Sequence, residues 1–87
     1  MKNFKAYLNE AKFLIYTDLD EYPVSKQGRQ LRLKVKEMPG KGDGMYGPDA
    51  AELEGNERNI VKYAQMYLGF EGRTFRELEK ERKDGYI

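Results

Sequence analysis

The glycine-rich stretch at residues 42–47 (Gly-Asp-Gly-Met-Tyr-Gly) matches the G-x-G-x-x-G pattern of dinucleotide-binding loops. Such a loop requires a second parallel strand with an acidic residue about 20 positions further on. The chain after residue 48 is instead predicted to be helical up to its end. We therefore expect no dinucleotide cofactor, although the glycine amides together with Lys41 could form a nest for an anion.

A second group that could do chemistry is the acidic cluster Asp18, Asp20 and Glu21. Three neighbouring carboxylates could hold Mg²⁺ weakly, but such a cluster is more typical of a solvated turn that ends a helix. Residues 14–20, Leu-Ile-Tyr-Thr-Asp-Leu-Asp, superficially resemble the strand and D-x-D motif of haloacid-dehalogenase-type phosphotransferases. The chain is too short for their doubly wound domain, and Tyr22 stands where those proteins carry threonine. We expect no metal site and no catalytic residue here.

A third group is basic and clusters between residues 26 and 41, where a single acid, Glu37, interrupts six positive charges. The six residues are Lys26, Arg29, Arg32, Lys34, Lys36 and Lys41. Such a stripe could contact phosphates or an acidic protein surface. The structural alternative is the solvent side of a strand, where lysine and arginine also prevent edge-to-edge pairing.

Composition limits the chemistry further. The 87 residues include no cysteine and no histidine, so the chain has no thiolate nucleophile, imidazole base or Cys/His zinc site. An enzyme is therefore not expected. The net charge of +1 and the seven tyrosines favour a small folded domain, and no apolar run approaches the roughly 20 residues that span a bilayer. We expect no membrane partner.

Hydrophobic spacing predicts the elements that would position these groups. Near the N-terminus, apolar residues recur every three or four positions, which indicates an amphipathic helix that ends near Tyr16. From residue 29 to residue 38, leucine and valine alternate with basic residues, which predicts a strand. Its partner would be residues 13–17 or, preferably, residues 21–25, joined by a hairpin turn at residues 26–28.

The C-terminal half carries helix signals. Residues 39–48 are predicted to form a mobile glycine-rich loop, and Asp49 could cap a short helix through Leu53. A longer helix is predicted from residue 57 to residue 68, with Tyr67 in the core and Gly69 as its left-handed stop. Thr74 and Glu77 have the spacing of a capping box and predict the start of a last helix anchored by Phe75 and Leu78.

The predicted fold class is therefore α+β, with an N-terminal helix, a small antiparallel β element and two C-terminal helices. Residues 11–87 would form a single domain, and residues 1–10 would be either a cleavable leader or the first helix. The core residues predicted from these patterns are Leu8, Leu14, Leu31, Leu33, Val35, Ile60, Ala64, Leu68, Phe75 and Leu78.

The first eleven residues, Met-Lys-Asn-Phe-Lys-Ala-Tyr-Leu-Asn-Glu-Ala, resemble the capsid-targeting leader of internal head proteins of T-even-type tailed phages. The resemblance implies that a prohead protease recognises Leu8 and Glu10 and cuts the bond between Glu10 and Ala11. It also implies a protein that is packaged inside the virion with the DNA and ejected into the bacterial cytoplasm. The same pattern is also that of an amphipathic helix packed on a core.

Two function classes follow. The first, which we favour, is a non-enzymatic phage protein that binds and inhibits a host protein such as a defence nuclease or toxin. The second is a small nucleic-acid-binding protein that uses the basic strand. A protein inhibitor would need a packed apolar or tyrosine-rich contact centre, for which Tyr46 in the glycine-rich loop is the best candidate.

Overall fold

A three-stranded antiparallel sheet with helices packed on one face forms the framework of this protein. The computed structural model describes residues 10–44 and 46–85. The elements are β1 (Glu10–Thr17), α1 (Val24–Gln30), β2 (Lys34–Met38), β3 (Asp49–Asn56), α2 (Glu57–Tyr63), a π-helical turn (Ala64–Leu68) that continues α2, and α3 (Phe75–Gly85). The predicted class, a mixture of helices with an antiparallel sheet, is confirmed.

The strand order is β1-β3-β2, so β3 lies in the centre and pairs antiparallel with both neighbours. The edge strands β1 and β2 therefore run parallel to each other, and α1 crosses between them as in a split β-α-β unit. In the register, Phe13 and Val35 both lie opposite Leu53. This topology places the end of β1, the start of α1 and the loop after β2 at the same end of the sheet.

One face of the sheet carries the core. Phe13, Ile15, Ala51 and Leu53 alternate along β1 and β3 with side chains on this face, and all are buried. The helices complete the cluster with Val24, Ile60, Val61, Tyr63, Ala64 and Leu78. The other side of the sheet, called the second face below, carries charged and half-buried residues, because successive strand residues point to opposite sides.

The predicted N-terminal helix is wrong where the structure describes it, because Glu10–Thr17 is strand β1. The segment carries two periodicities, and the alternation of Phe13, Ile15 and Thr17 prevails because β3 offers it hydrogen bonds along its whole length. Leu14, expected in the core, lies half-buried on the second face. Leu8 and the rest of residues 1–9 lie outside the described residues.

The predicted strand at residues 29–38 is shorter than expected, and its predicted partner at residues 21–25 is wrong. Residues 24–30 form α1, and only Lys34–Met38 is a strand, paired with β3. Arg32 turns the chain between them with φ of 61°. Gly28 allows α1 to lie against β2, because a Cβ at this position would collide with Cγ2 of Val35.

The helix predicted from Asp49 to Leu53 is also wrong, because these residues begin the central strand β3. Their local sequence, Asp-Ala-Ala-Glu-Leu, has good helix formers, and no local signal identifies a strand. The central position overrides that preference, since Ala50, Ala51 and Leu53 are all buried between the flanking strands.

The helix predicted for residues 57–68 is confirmed in extent, although its last turn is π-helical. Gly69 ends it with φ of 73°, as predicted. The capping box is confirmed too: the Glu77 amide donates to Thr74 Oγ1 at 3.1 Å, and the Thr74 amide donates to Glu77 Oε1 at 3.3 Å. These features depend on neighbouring residues alone, which is why the sequence reveals them.

Candidate functional site

A groove with five tyrosines among its lining residues lies at the end of the sheet where β1 stops and the π-helical turn passes. It encloses about 450 Å³. Its walls carry all five tyrosines of the described residues together with a methionine. We call it the tyrosine groove and define it by Tyr16, Tyr22, Tyr46, Tyr63, Met66 and Tyr67.

The tyrosine groove also collects the exposed large apolar side chains of the described residues. These are Tyr22, Tyr46, Met66 and Tyr67, with exposed fractions of 52%, 40%, 56% and 36%. They come from three separate segments: the turn before α1, the glycine-rich loop and the π-helical turn. Large exposed apolar groups that cluster at one place mark interaction sites, whereas singly scattered ones do not.

Tyr63 forms the floor of the groove. Its side chain is buried, its hydroxyl donates to Gln27 Oε1 at 3.1 Å, and its ring lies 4.9 Å from that of Tyr67. Burial, and to a lesser extent the neighbouring Tyr67, raises the pKa of Tyr63 to about 12. The hydroxyl therefore stays protonated at physiological pH and serves as a fixed hydrogen-bond donor, not as a base.

The π-helical turn places Met66 and Tyr67 side by side on the rim. Helical spacing predicts Tyr67 in the core, but the wider turn leaves this side chain 36% exposed. The helix ends at Leu68, just after these two residues, and the Phe70 amide then donates to the Ala64 carbonyl at 3.2 Å. Single π turns of this kind occur frequently at functional sites.

The glycine-rich loop holds Tyr46 over the end of β1. Gly42 donates to the Pro48 carbonyl at 3.1 Å, and Gly44 donates to the Gly47 carbonyl at 3.2 Å. The Tyr46 amide donates to Asp43 Oδ1 at 2.7 Å. Hydrogen bonds from its own amides thus connect the two sides of the loop that the sequence predicts to be mobile. The Gly42 and Gly44 amides are used in these hydrogen bonds and are not available for the anion nest that the sequence suggested.

Asp49 joins the two loops that flank the groove. Its Oδ1 accepts from the Gly40 amide at 2.7 Å, and its Oδ2 accepts from the Leu19 amide at 2.9 Å. These hydrogen bonds, the one from Gly40 first, hold the pKa of the Asp49 carboxyl below its usual value. The carboxylate thus links the turn after β1 to the glycine-rich loop through two hydrogen bonds.

We expect Asp49 to contribute to stability at neutral pH and to lose that contribution in acid. A carboxyl whose pKa is lowered by folding stabilises the protein above its unfolded pKa of about 4, and the effect disappears as the pH falls through the lower folded pKa. Asp49→Asn should therefore melt below the parent at pH 7, with the difference shrinking as the pH falls below about 4. Thermal unfolding of both proteins across this range measures the effect, and a constant difference would contradict it.

The six basic residues do not form one surface. Lys26 and Arg29 lie on α1, Arg32 lies in the following turn, Lys34 and Lys36 lie on β2, and Lys41 lies in the glycine-rich loop. Because α1 packs against the Val35 side of β2, Lys34 and Lys36 project from the opposite, second face. Helix and strand therefore present their basic residues on different sides of the sheet.

Acidic residues of β3 interrupt the positive charge of the second face. Lys34 lies opposite Glu54 and Lys36 lies opposite Glu52, while Lys12 of β1 lies on the other side of Glu54. Directly opposite residues on one face of an antiparallel pair have Cβ atoms about 5 Å apart. The sequence shows only the basic strand, and the tertiary pairing makes this face a ladder of mixed charge.

The bond proposed for processing lies at the start of β1. Glu10 pairs with Asn56 and is exposed, whereas Ala11 pairs with Gly55 and packs against the core. Leu8, the other recognition residue, lies outside the described residues. A cut between Glu10 and Ala11 would remove one residue of the strand and leave its paired length from Ala11 to Thr17.

The acidic turn satisfies part of its own hydrogen-bonding capacity, since Asp18 Oδ1 accepts from the Asp20 amide at 3.0 Å. Within residues 10–44 and 46–85, acidic side chains do not come together in a group of three or more that could hold a metal ion. In the same part of the chain, every helix is too short or too polar to cross a bilayer.

Comparison with protein-family models, with curated proteins and with solved structures gave no significant match. The candidate function therefore depends on the geometry of the site and on the resemblance of residues 1–11.

Proposed function

We propose that this chain is a non-enzymatic phage protein that binds a host bacterial protein through the tyrosine groove and inhibits it. The observation that carries this proposal is the convergence of all five described tyrosines, with Met66, on one groove. Tyrosine and methionine are enriched at protein interfaces, and tyrosine is among the residues that most commonly dominate binding energy.

The proposed phage origin is supported by the leader-like residues 1–11. A protein with such a leader would be packaged in the virion interior and delivered with the DNA to the bacterial cytoplasm. A host defence nuclease or toxin is a suitable target there, because it acts on incoming DNA or on the infected cell. Inhibition by occupation of a surface needs no catalytic group on the inhibitor.

The alternative, nucleic-acid binding through the basic residues, has weaker support. Phosphate binding requires several cations that reach one backbone together. Here the six basic residues lie on different sides of the sheet, and Glu52 and Glu54 oppose the two on β2. The groove itself carries no lysine or arginine among its described lining residues.

We expect the double variant Met66→Ala/Tyr67→Ala to lose its protein partner. Met66 is 56% exposed and Tyr67 is 36% exposed, so truncating both should cost the fold about 1–2 kcal/mol, while truncating residues that dominate an interface costs roughly 2 kcal/mol or more of binding free energy. The partner captured by the parent protein from bacterial lysate, identified by mass spectrometry, should therefore bind the variant at least about 30-fold more weakly.

The matched control reverses two basic residues, as Arg32→Glu/Lys34→Glu, and should keep the partner. Capture is repeated after nuclease treatment, which removes any protein bridged by nucleic acid. Loss of the partner in the basic variant or after nuclease, with the groove variant unaffected, would show that the nucleic-acid alternative is correct.

A further inference from the structure

We infer that the tyrosine groove recognises a cationic side chain, arginine above all, in a basic segment of the partner protein. This inference rests on the proposed function and names the chemistry of the partner. Its basis is the charge of the groove: the one charged residue among the described lining side chains is Asp18, which is half-buried.

The Asp18 carboxylate retains capacity for a ligand. Its Oδ1 accepts from the Asp20 amide within the turn, and Oδ2 has no hydrogen-bond partner among the described residues. Two further acids, Asp20 and Glu21, are exposed in the same turn, and the neighbouring Glu21 carboxylate raises the pKa of Tyr22. The rim on this side of the groove is therefore negative.

A second hollow adjoins the groove, and both of its charged residues, Glu81 and Arg82, make contacts within the protein. This hollow shares Tyr16, Tyr46 and Leu68 with the groove. Glu81 accepts from the Glu71 and Gly72 amides, while Arg82 donates to the Leu14 carbonyl at 2.8 Å and stacks over Phe13. Glu81 and Arg82 carry opposite formal charges, so the pair adds no net charge beside the groove.

Tyrosine rings beside a carboxylate form a suitable site for a cation. The faces of the rings attract positive charge, and the attraction grows as the cation is desolvated. A guanidinium group gains more than an ammonium group, since its plane stacks on the rings while its edge donates two hydrogen bonds to a carboxylate. A phosphate would instead be repelled by Asp18, so nucleic acid is a poor occupant.

The test is an NMR titration of the full chain with the blocked peptide Gly-Arg-Gly-Arg-Gly. The neutral control replaces both arginines with citrulline, which keeps the shape and hydrogen-bonding groups but removes the charge. We expect the resonances of Tyr22, Met66 and Tyr67 to shift with the arginine peptide, and the citrulline peptide to bind about tenfold more weakly or not at all. Equal affinity for the two peptides, or shifts confined to the second face, would overturn the inference.

Asp18→Asn supplies the second arm and keeps the Oδ1 acceptor that the turn needs. We expect it to weaken binding of the arginine peptide about five- to tenfold, while Glu54→Gln, the same charge change on the second face, leaves it unchanged. Unchanged binding by Asp18→Asn would contradict the inference.

The two proposals fail in different ways. If Met66→Ala/Tyr67→Ala loses the captured partner and Asp18→Asn keeps it at parental affinity, the groove binds protein but the cation inference is wrong. If the groove variant keeps the partner, the proposed function itself is wrong.

Discussion

Phe13→Ala should remove a large part of the free energy of unfolding of this protein, about 3–5 kcal/mol. Phe13 is 1% exposed, and its ring lies 6.0 Å from Phe70, 5.9 Å from Phe75 and 4.7 Å from the Arg82 guanidinium. Truncating a buried phenylalanine costs about 3–5 kcal/mol, whereas a domain of this length has a total stability of roughly 4–13 kcal/mol. Urea unfolding followed by circular dichroism measures the loss.

The neighbouring residue provides the control. Leu14→Ala alters a half-buried side chain on the second face and should cost only about 1 kcal/mol, because much of that side chain is already in water. Similar losses for the two variants would contradict the alternation of β1, and with it the strand that replaces the helix predicted for this segment.

Gly42→Ala should disrupt the glycine-rich loop and, with it, partner binding. A Cβ at residue 42 would collide with the Gly47 carbonyl oxygen and lie 2.6 Å from the Asp49 amide nitrogen, both of which are backbone atoms. The loop must open to relieve these contacts, which breaks the hydrogen bond from Gly42 to Pro48 and moves Tyr46 away from the groove. Overpacking of this kind costs about 1–3 kcal/mol.

Gly44→Ala is the control for Gly42→Ala, because it removes a glycine from the same loop without forcing the loop to open. A Cβ at residue 44 meets no atom within 4 Å, although its φ of +80° disfavours alanine by about 1–2 kcal/mol. We expect Gly44→Ala to lower the melting temperature by about 4–8 °C for each kcal/mol lost and to keep both partner binding and the NMR shifts of Tyr46. If both variants bind the partner as the parent does, Tyr46 is not part of the interface.

Local signals were sufficient for the C-terminal part of the chain. The helix from residue 57, its stop at Gly69 and the capping box of Thr74 and Glu77 depend on residues within one or two turns of each other. The energies involved are those of neighbouring amides and side chains, so the sequence by itself determined them.

The strands form only with partner strands that are distant in the sequence, and no local pattern identifies those partners. Residues 10–17 carry both a helical and an alternating pattern, and residues 49–53 have good helix formers. Both became strands because each offers the other a complete set of hydrogen bonds and a buried face. A pairing across about 40 residues leaves no local trace, which is why the predicted hairpin at residues 21–25 was wrong.

The candidate site shows the same division. Tyr46 could be selected from sequence as an exposed aromatic residue in a loop, but Tyr22, Met66 and Tyr67 could not be assigned to the same groove. The turn after β1, the link through Asp49 and the π-helical turn bring these side chains together. Likewise, only the tertiary structure determines the charge of the second face, because β3 places Glu52 and Glu54 beside the lysines of β2. The electrostatic potential of a surface depends on which residues are neighbours in space and not on which are neighbours in sequence.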